Sequence, residues 1–298
     1  MRLRRSELST PGSSEKMMAK AAASDADLVF LDLEDSVAPS EKASARDKVV
    51  TALKTLDWGS KTRAVRINNL ETEYAHQDII QIVEQAGDSL DIIIVPKVKA
   101  ARDVWWVDVL LTQLEARLGL TRRIGLEVLI EEVEAMINAE EIAKASPRLE
   151  ALIFGPGDYS ASQGVDIKSI GGTGQYPGDV WHYARNKVVI AARAAGIDMV
   201  DGPYAGIKNP EGYLEECRRS RILGAVGKWA IHPSQIDIAN GEYSPSADSV
   251  ARARKLAAAY AEAEANGLGA VAVDGDMVDA ASIRILQNTL RKADLIGM

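Results

Sequence analysis

Leu28-Val29-Phe30-Leu31-Asp32-Leu33-Glu34 runs apolar through Leu31 and then closes on two carboxylates separated by a leucine. A short apolar run ended by charge reads as a buried strand. Alternation along it places Asp32 and Glu34 on one face and Asp35 on the other. The pattern recurs along the chain. Arg63–Ile67 carries Arg66 and leads to Asn68, Ile92–Val95 leads to Lys97, and Ile124–Ile130 to Glu131. Ala151–Phe154 leads to Asp158, Met199–Val200 to Asp201 and Lys228–Ile231 to His232, while the more polar Ser6–Thr10 supplies a first strand. Stretches of helical composition lie between: Lys16–Ala23, Glu41–Leu53, Asp78–Gln85, Val104–Arg117, Val133–Ala145, Val180–Ala195 and Pro210–Leu223. Strands alternating with helices predict a parallel sheet, and this number of units matches a (β/α)8 TIM barrel better than an open doubly wound sheet. The polar residues gather at the C-terminal strand ends, the rim where barrel enzymes build their sites.

After Pro233 the pattern changes. A long alanine-rich helix over Ser246–Asn266 precedes Ala270–Val273, an Asp274-Gly275-Asp276 turn, Met277-Val278 and a last helix over Ala280–Ala293. Asp-Gly between apolar flanks predicts a hairpin. The expected division is a catalytic barrel over residues 1–243 and an appendage over 244–298 that packs on a neighbouring subunit.

Composition excludes several classes. One cysteine, Cys217, among 298 residues leaves no disulfide framework and no cysteine-rich zinc site. A net charge of −8 is not a nucleic-acid footprint. No apolar run has the length of a membrane span, and the start lacks a signal-peptide core, so a cytoplasmic protein is expected.

Glu127 and Glu131 share a strand face, and Asp158 follows Gly155-Pro156-Gly157 on the next strand. A Glu and an Asp on adjacent strands suit Mg2+, which takes few protein carboxylates and keeps water or substrate oxygens. Mn2+ is expected to substitute at such a site. Arg66, a guanidinium in an apolar strand, either holds an oxyanion or pairs with Asp32 or Glu127. Lys97 is a Schiff-base candidate or, beside so many carboxylates, an ion-paired lysine. No His-x-x-x-His pair is present. Trp105-Trp106 reads as core or interface, and Gly171-Gly172-Thr173-Gly174 lacks the lysine of a phosphate loop.

These residues carry a resemblance. Thr10-Pro11-Gly12-Ser13, Leu31-Asp32-Leu33-Glu34-Asp35-Ser36-Val37-Ala38-Pro39, Val65-Arg66-Ile67-Asn68 and Ile94-Val95-Pro96-Lys97-Val98 resemble the HpcH/HpaI aldolase and citrate lyase β-subunit family. Leu56-Asp57-Trp58-Gly59, Glu127-Val128-Leu129-Ile130-Glu131, Asp201-Gly202-Pro203, the stretch Gly227 to Gln235 and Val278-Asp279-Ala280-Ala281-Ser282-Ile283 are similar to its malyl-CoA lyase branch. The resemblance implies a TIM barrel binding Mg2+ through Glu131 and Asp158, which selects the upper of the two glutamates. It implies that Arg66 contacts the acyl and glyoxylate oxygens, and that Asp279 reaches the neighbouring subunit's site as catalytic acid/base. It also implies a homotrimer or a dimer of trimers. Asp32 and Glu34 join the expected catalytic set. Lys20, Pro11, Gly12, Gly157, Ile231, His232 and Pro233 are the expected substrate and CoA contacts. The chain departs from that branch at Ser9 and Ser14, where the branch has an aromatic and an arginine near the adenine, and its loop from Gly171 to Trp181 is shorter.

The activity implied is Mg2+-dependent cleavage and formation of malyl-CoA or β-methylmalyl-CoA, with acetyl-CoA or propionyl-CoA and glyoxylate as the other partners. Alternatives are citramalyl-CoA lyase, malyl-CoA thioesterase, a CoA-independent class II aldolase, and a barrel that only binds acyl-CoA. For Asp279 the competing expectation is a plain helix N-cap.

Overall fold

The computed structural model describes residues 2–166 and 178–298. Strand β1 spans Ser6–Pro11, β2 Leu28–Asp32, β3 Thr62–Arg66, β4 Ile92–Val95, β5 Gly125–Ile130, β6 Leu149–Phe154, β7 Asp198–Asp201 and β8 Gly227–Ala230. They pair in parallel in chain order, and β8 returns to β1, so the expected (β/α)8 barrel is the fold. The glycine run Gly171 to Gly174, and most of the loop from Gly171 to Trp181, lie outside the described residues.

One helical expectation is corrected, and one helix is added. The stretch Val133–Ala145 forms two short helices, Val133–Ile137 and Ala139–Ile142, because Asn138 (φ −94°, ψ 10°) breaks the run and donates from Nδ2 to the Lys99 carbonyl at 2.9 Å. After β6, Pro156–Gln163 is a helix with proline at its first turn and Gly164 left-handed at its end, the usual proline-in, glycine-out asymmetry. Trp105 and Trp106 stand exposed on the outer face of the helix Ala101–Leu118. Among the described residues no helix is long and apolar enough to cross a membrane.

Inward positions of the strands fill the barrel. Leu28, Phe30, Ala64, Ile92, Ile94, Leu129, Ala151, Ile153, Val200 and Trp229 form one buried cluster. Charge lies beneath it. Arg4, just before β1, donates to Glu127 Oε1 at 3.0 Å, Glu150 Oε2 at 2.8 Å and Asp198 Oδ2 at 3.3 Å. This guanidinium ties β5, β6 and β7 together at the N-terminal end of the barrel.

Closure depends on one glycine. A Cβ on Gly227 would sit 1.7 Å from the Arg4 carbonyl oxygen and 2.6 Å from its carbon. Both are backbone atoms fixed by the β1–β8 ladder. Gly227→Ala is therefore expected to destabilise by about 3 kcal/mol or more, the upper range for overpacking. Gly241→Ala, with open space around it, is the control. Urea unfolding of the two variants checks this; equal midpoints would refute the closure argument.

Residues from Glu242 onward form a second compact unit. It holds the helix Ala247–Ala265, an antiparallel hairpin of β9 (Ala270–Val273) and β10 (Asp276–Asp279), and the helix Ala280–Leu295. Asp274 and Gly275 both have positive φ (49° and 89°), as a tight hairpin turn requires.

Candidate active site

Asp32 and Arg66 end adjacent strands in direct register. Inward alternation makes them meet: Arg66 Nε donates to Asp32 Oδ1 at 2.7 Å and Nη2 to Oδ2 at 2.8 Å. Asp32 also accepts the backbone N–H groups of Glu34 (2.9 Å) and Ser36 (3.1 Å), so both of its oxygens are engaged. Burial favours the neutral Asp32 carboxyl, but Arg66 and these donors outweigh it and hold the group below the usual range. For Arg66, burial works against the charge, and Asp32 and Glu34 outweigh it so that the guanidinium stays protonated. Its Nη1 lies 2.9 Å from Glu34 Oε2, in an ion pair without a hydrogen bond. The ring faces of Trp229 and Phe30 lie 5.4 and 5.9 Å from the guanidinium carbon.

Lys97 links this pair to the next strand. Its Nζ donates to Glu34 Oε1 at 2.5 Å, and its backbone N–H donates to Glu131 Oε1 at 2.9 Å. The backbone there is left-handed, φ 51°, a conformation that costs a non-glycine residue about 1–3 kcal/mol. The two hydrogen bonds hold it. Burial disfavours the ammonium, yet Glu34 raises its pKa well above the ordinary value, so Lys97 is an ion-paired cation. A Schiff base needs a free amine, so the ion pair with Glu34 favours the ion-paired reading of Lys97.

Glu131 is buried at the end of β5. Its Oε2 would lie 2.5 Å from a Cβ on residue 155, so the carboxylate is accommodated because that residue is Gly155. Burial first, then the neighbouring Asp158 and Glu34 carboxylates, push Glu131 up to about 8 against the opposing pull of Arg66. This carboxylate lacks positive charge. A hard divalent cation beside Glu131 and Asp158 would supply it, and Mg2+ fits two carboxylates with water or substrate oxygens completing its shell. Among the described residues no group of three or more His, Cys, Asp or Glu is arranged to cage a metal, so the set is an open one.

Other expected residues lie elsewhere. Glu127 is at the barrel floor with Arg4, which settles Glu131 as the rim glutamate. Asp201 is not part of the rim set: its carboxylate accepts from Lys228 Nζ at 2.6 Å and Arg185 Nε at 3.1 Å, on the helix side of β7. Asn68 donates to Asp78 Oδ2 from its backbone N–H (2.9 Å) and Nδ2 (2.7 Å) and so braces a helix start. Lys20 is exposed in the last turn of the helix Glu15–Ala22. His232 is exposed and accepts the Ser234 N–H at 3.2 Å, capping its own turn before Pro233. Pro11 ends β1; Gly12 lies buried, its N–H on the Asp32 carbonyl at 2.8 Å. Gly157 and Ile231 are half-buried. Asp279, in the second unit, accepts the Ser282 N–H at 2.9 Å and its hydroxyl at 3.0 Å, which lowers its pKa. It is the N-cap of its helix.

Sequence reasoning missed the Phe30–Trp229 platform. The signal was present: Phe30 lies two residues before Asp32 and so shares its face.

The pattern of the HpcH/HpaI aldolase/citrate lyase family matches residues 5–233. The chain is 46% identical over 303 residues to an L-malyl-CoA/β-methylmalyl-CoA lyase of Cereibacter sphaeroides, covering 98% of this chain and 95% of that protein. It is 37% identical over 293 residues to a (3S)-malyl-CoA thioesterase of the same species, with 98% and 95% covered. A solved structure of CitE from Mycobacterium tuberculosis with magnesium, acetoacetate and coenzyme A is similar at a TM-score of 0.75 and 28% identity, covering 97% of each chain.

Proposed function

The chain belongs to the HpcH/HpaI aldolase/citrate lyase family, and on that premise we propose that it is a Mg2+-dependent carbon–carbon lyase. Its proposed substrates are malyl-CoA or β-methylmalyl-CoA, the two named for the 46% identical relative, with acetyl-CoA or propionyl-CoA and glyoxylate as the proposed products of cleavage. The observation that carries this reading is Arg66, a permanently charged guanidinium fixed at 2.7 and 2.8 Å on Asp32 beside the cation-deficient Glu131.

Glu131 and Asp158 would hold Mg2+, which would supply Lewis-acid polarisation of the 2-oxo acid's carbonyl. In cleavage the hydroxyl proton leaves to a base, and the bond between the hydroxyl-bearing carbon and the thioester α-carbon breaks. The electron pair of that bond becomes the thioester enolate, and glyoxylate departs. Arg66 supplies preorganised positive charge to the enolate oxygen. Asp32 is saturated by Arg66 and backbone donors, so its role is to hold that guanidinium. Glu34 balances the charges of Arg66 and Lys97. Pro11, Gly12, Gly157, Ile231, His232, Pro233 and Lys20 are proposed to receive the acyl-CoA.

The proton-transfer group has to lie outside the metal set, within hydrogen-bond reach of substrate. We assign it to Asp279 of a second copy, in a cytoplasmic trimer or dimer of trimers. Asp279→Ala and Glu131→Ala are each expected to be inactive, whereas the two co-expressed recover part of the activity. An Asp279→Ala protein that loses stability but keeps its rate would make the residue a cap only. Mn2+ is expected to replace Mg2+ with comparable turnover.

The decisive assay adds malyl-CoA and Mg2+ to the purified protein and follows glyoxylate and acetyl-CoA. Free CoA and malate without glyoxylate would support the thioesterase reading, which the 37% identical relative favours.

A further inference from the structure

Trp229 stands on β8 among aliphatic side chains that fill the barrel. A leucine or isoleucine there would pack without demanding a polar partner, whereas an indole N–H in a core has to find an acceptor. It finds one in Glu7, whose Oε2 accepts from Trp229 Nε1 at 2.9 Å. Glu7 is itself wholly buried on β1, an expensive placement for a carboxyl. Burial and the facing Glu127 carboxylate push Glu7 well above the ordinary carboxylate range, against the pull of Arg4 and the indole N–H. Glu7 Oε1 and Glu127 Oε2 are buried without hydrogen-bond partners, and Arg4 Nε lies 3.9 Å from Glu7 Oε1. Glu127 is anchored in turn by Arg4 Nε at 3.0 Å. Two buried carboxyls thus lie between the floor guanidinium and the indole. The indole and the Phe30 ring lie 4.4 Å apart between centroids, and the Arg66 guanidinium carbon lies 5.4 Å over the Trp229 ring.

We propose that Trp229, seated on Glu7, is a positioning residue for Arg66: it fixes the height and tilt of the guanidinium that Asp32 fixes in the plane. Asp32 grips one edge of the planar fork and Glu34 Oε2 pairs with Nη1 without a hydrogen bond, which leaves the fork some freedom to rock about the Asp32 edge. A rigid aromatic face beneath it removes this freedom and adds a cation–π attraction, which is strengthened where water is excluded. The inference rests on the assignment of Arg66 as the group that meets the enolate.

A double-mutant cycle tests it, read as kcat and KM for malyl-CoA cleavage with thermal melting in parallel. Trp229→Leu is expected to lower kcat about tenfold with KM changed less than twofold, the loss of about 1.4 kcal/mol of transition-state stabilisation. Trp229→Phe, a smaller perturbation of the fold, should lose less and in the same pattern. Glu7→Leu should lose kcat likewise, and Glu7→Gln should recover most of it. The amide still accepts from the indole and donates to Glu127. Combining Trp229→Leu with Arg66→Lys should cost no more than Arg66→Lys alone. Unchanged kcat in both folded Trp229 variants, or additive losses in the double variant, would overturn the positioning role. Full turnover by Arg66→Lys would instead remove the assignment of Arg66 on which the inference rests.

Discussion

Arg66→Lys is expected to lower kcat for malyl-CoA cleavage by about 10²–10³-fold, the range seen when a preorganised donor to a developing oxyanion is lost. Lysine keeps the charge but not the fork. A single ammonium cannot span both Asp32 oxygens, which Arg66 meets at 2.7 and 2.8 Å, and also reach Glu34 and the substrate. KM is expected to move far less, because the enolate oxygen carries charge only after the carbon–carbon bond begins to break. Arg66→Ala is the poorer experiment, since it leaves buried Asp32 without its partner and costs about 3–5 kcal/mol of stability. A kcat within threefold of wild type in a folded Arg66→Lys protein would end the oxyanion assignment.

Glu131→Ala and Asp158→Ala are each expected to lower turnover by about 10³-fold or more, since a bound divalent ion contributes several kcal/mol of charge stabilisation. The fold should survive. Glu131 is a liability to the protein without metal, pushed to about 8 by burial and its acidic neighbours, so Glu131→Gln should melt no lower than wild type. Added Mg2+ should raise the melting temperature of wild type but not of either alanine variant, because an ion stabilises only the state that binds it. EDTA should abolish wild-type turnover, and excess Mg2+ should restore it. Full activity after exhaustive chelation would refute the metal assignment.

Much of this was legible in the sequence, for reasons that residues make plain. Strand β2 is apolar to its last residue and then charged, so its limits and its site followed together. Strand β1 was faint because its inward Glu7 is satisfied by Trp229, a partner 222 positions away that no local pattern discloses. Glu127 and Glu131 could not be separated by spacing, since residues four apart on a strand share a face and differ only in depth. Arg4 decides the matter by claiming the lower one. Asp201 misled because it closes a strand as Asp32 does. It lies three residues from Asp198, which turns to Arg4, so alternation aims Asp201 the other way, toward Arg185. The helix Pro156–Gln163 is marked at both ends by Pro156 and Gly164, but at eight residues it is too short for its spacing to stand out.

The guanidinium of Arg4 also bears on synthesis. Its partners Glu127, Glu150 and Asp198 follow it by 123, 146 and 194 residues, so a chain emerging from the ribosome carries this cation long before anything can receive it. Such distant pairings are slow to form and leave sheet edges bare meanwhile. The ring cannot lock until Gly227 arrives against the Arg4 carbonyl, so nascent chains arrested short of that glycine should remain open to protease while those extended well past it resist. The barrel therefore cannot exist before β8 has been made, and the segment that leads into β1 is the last to be secured.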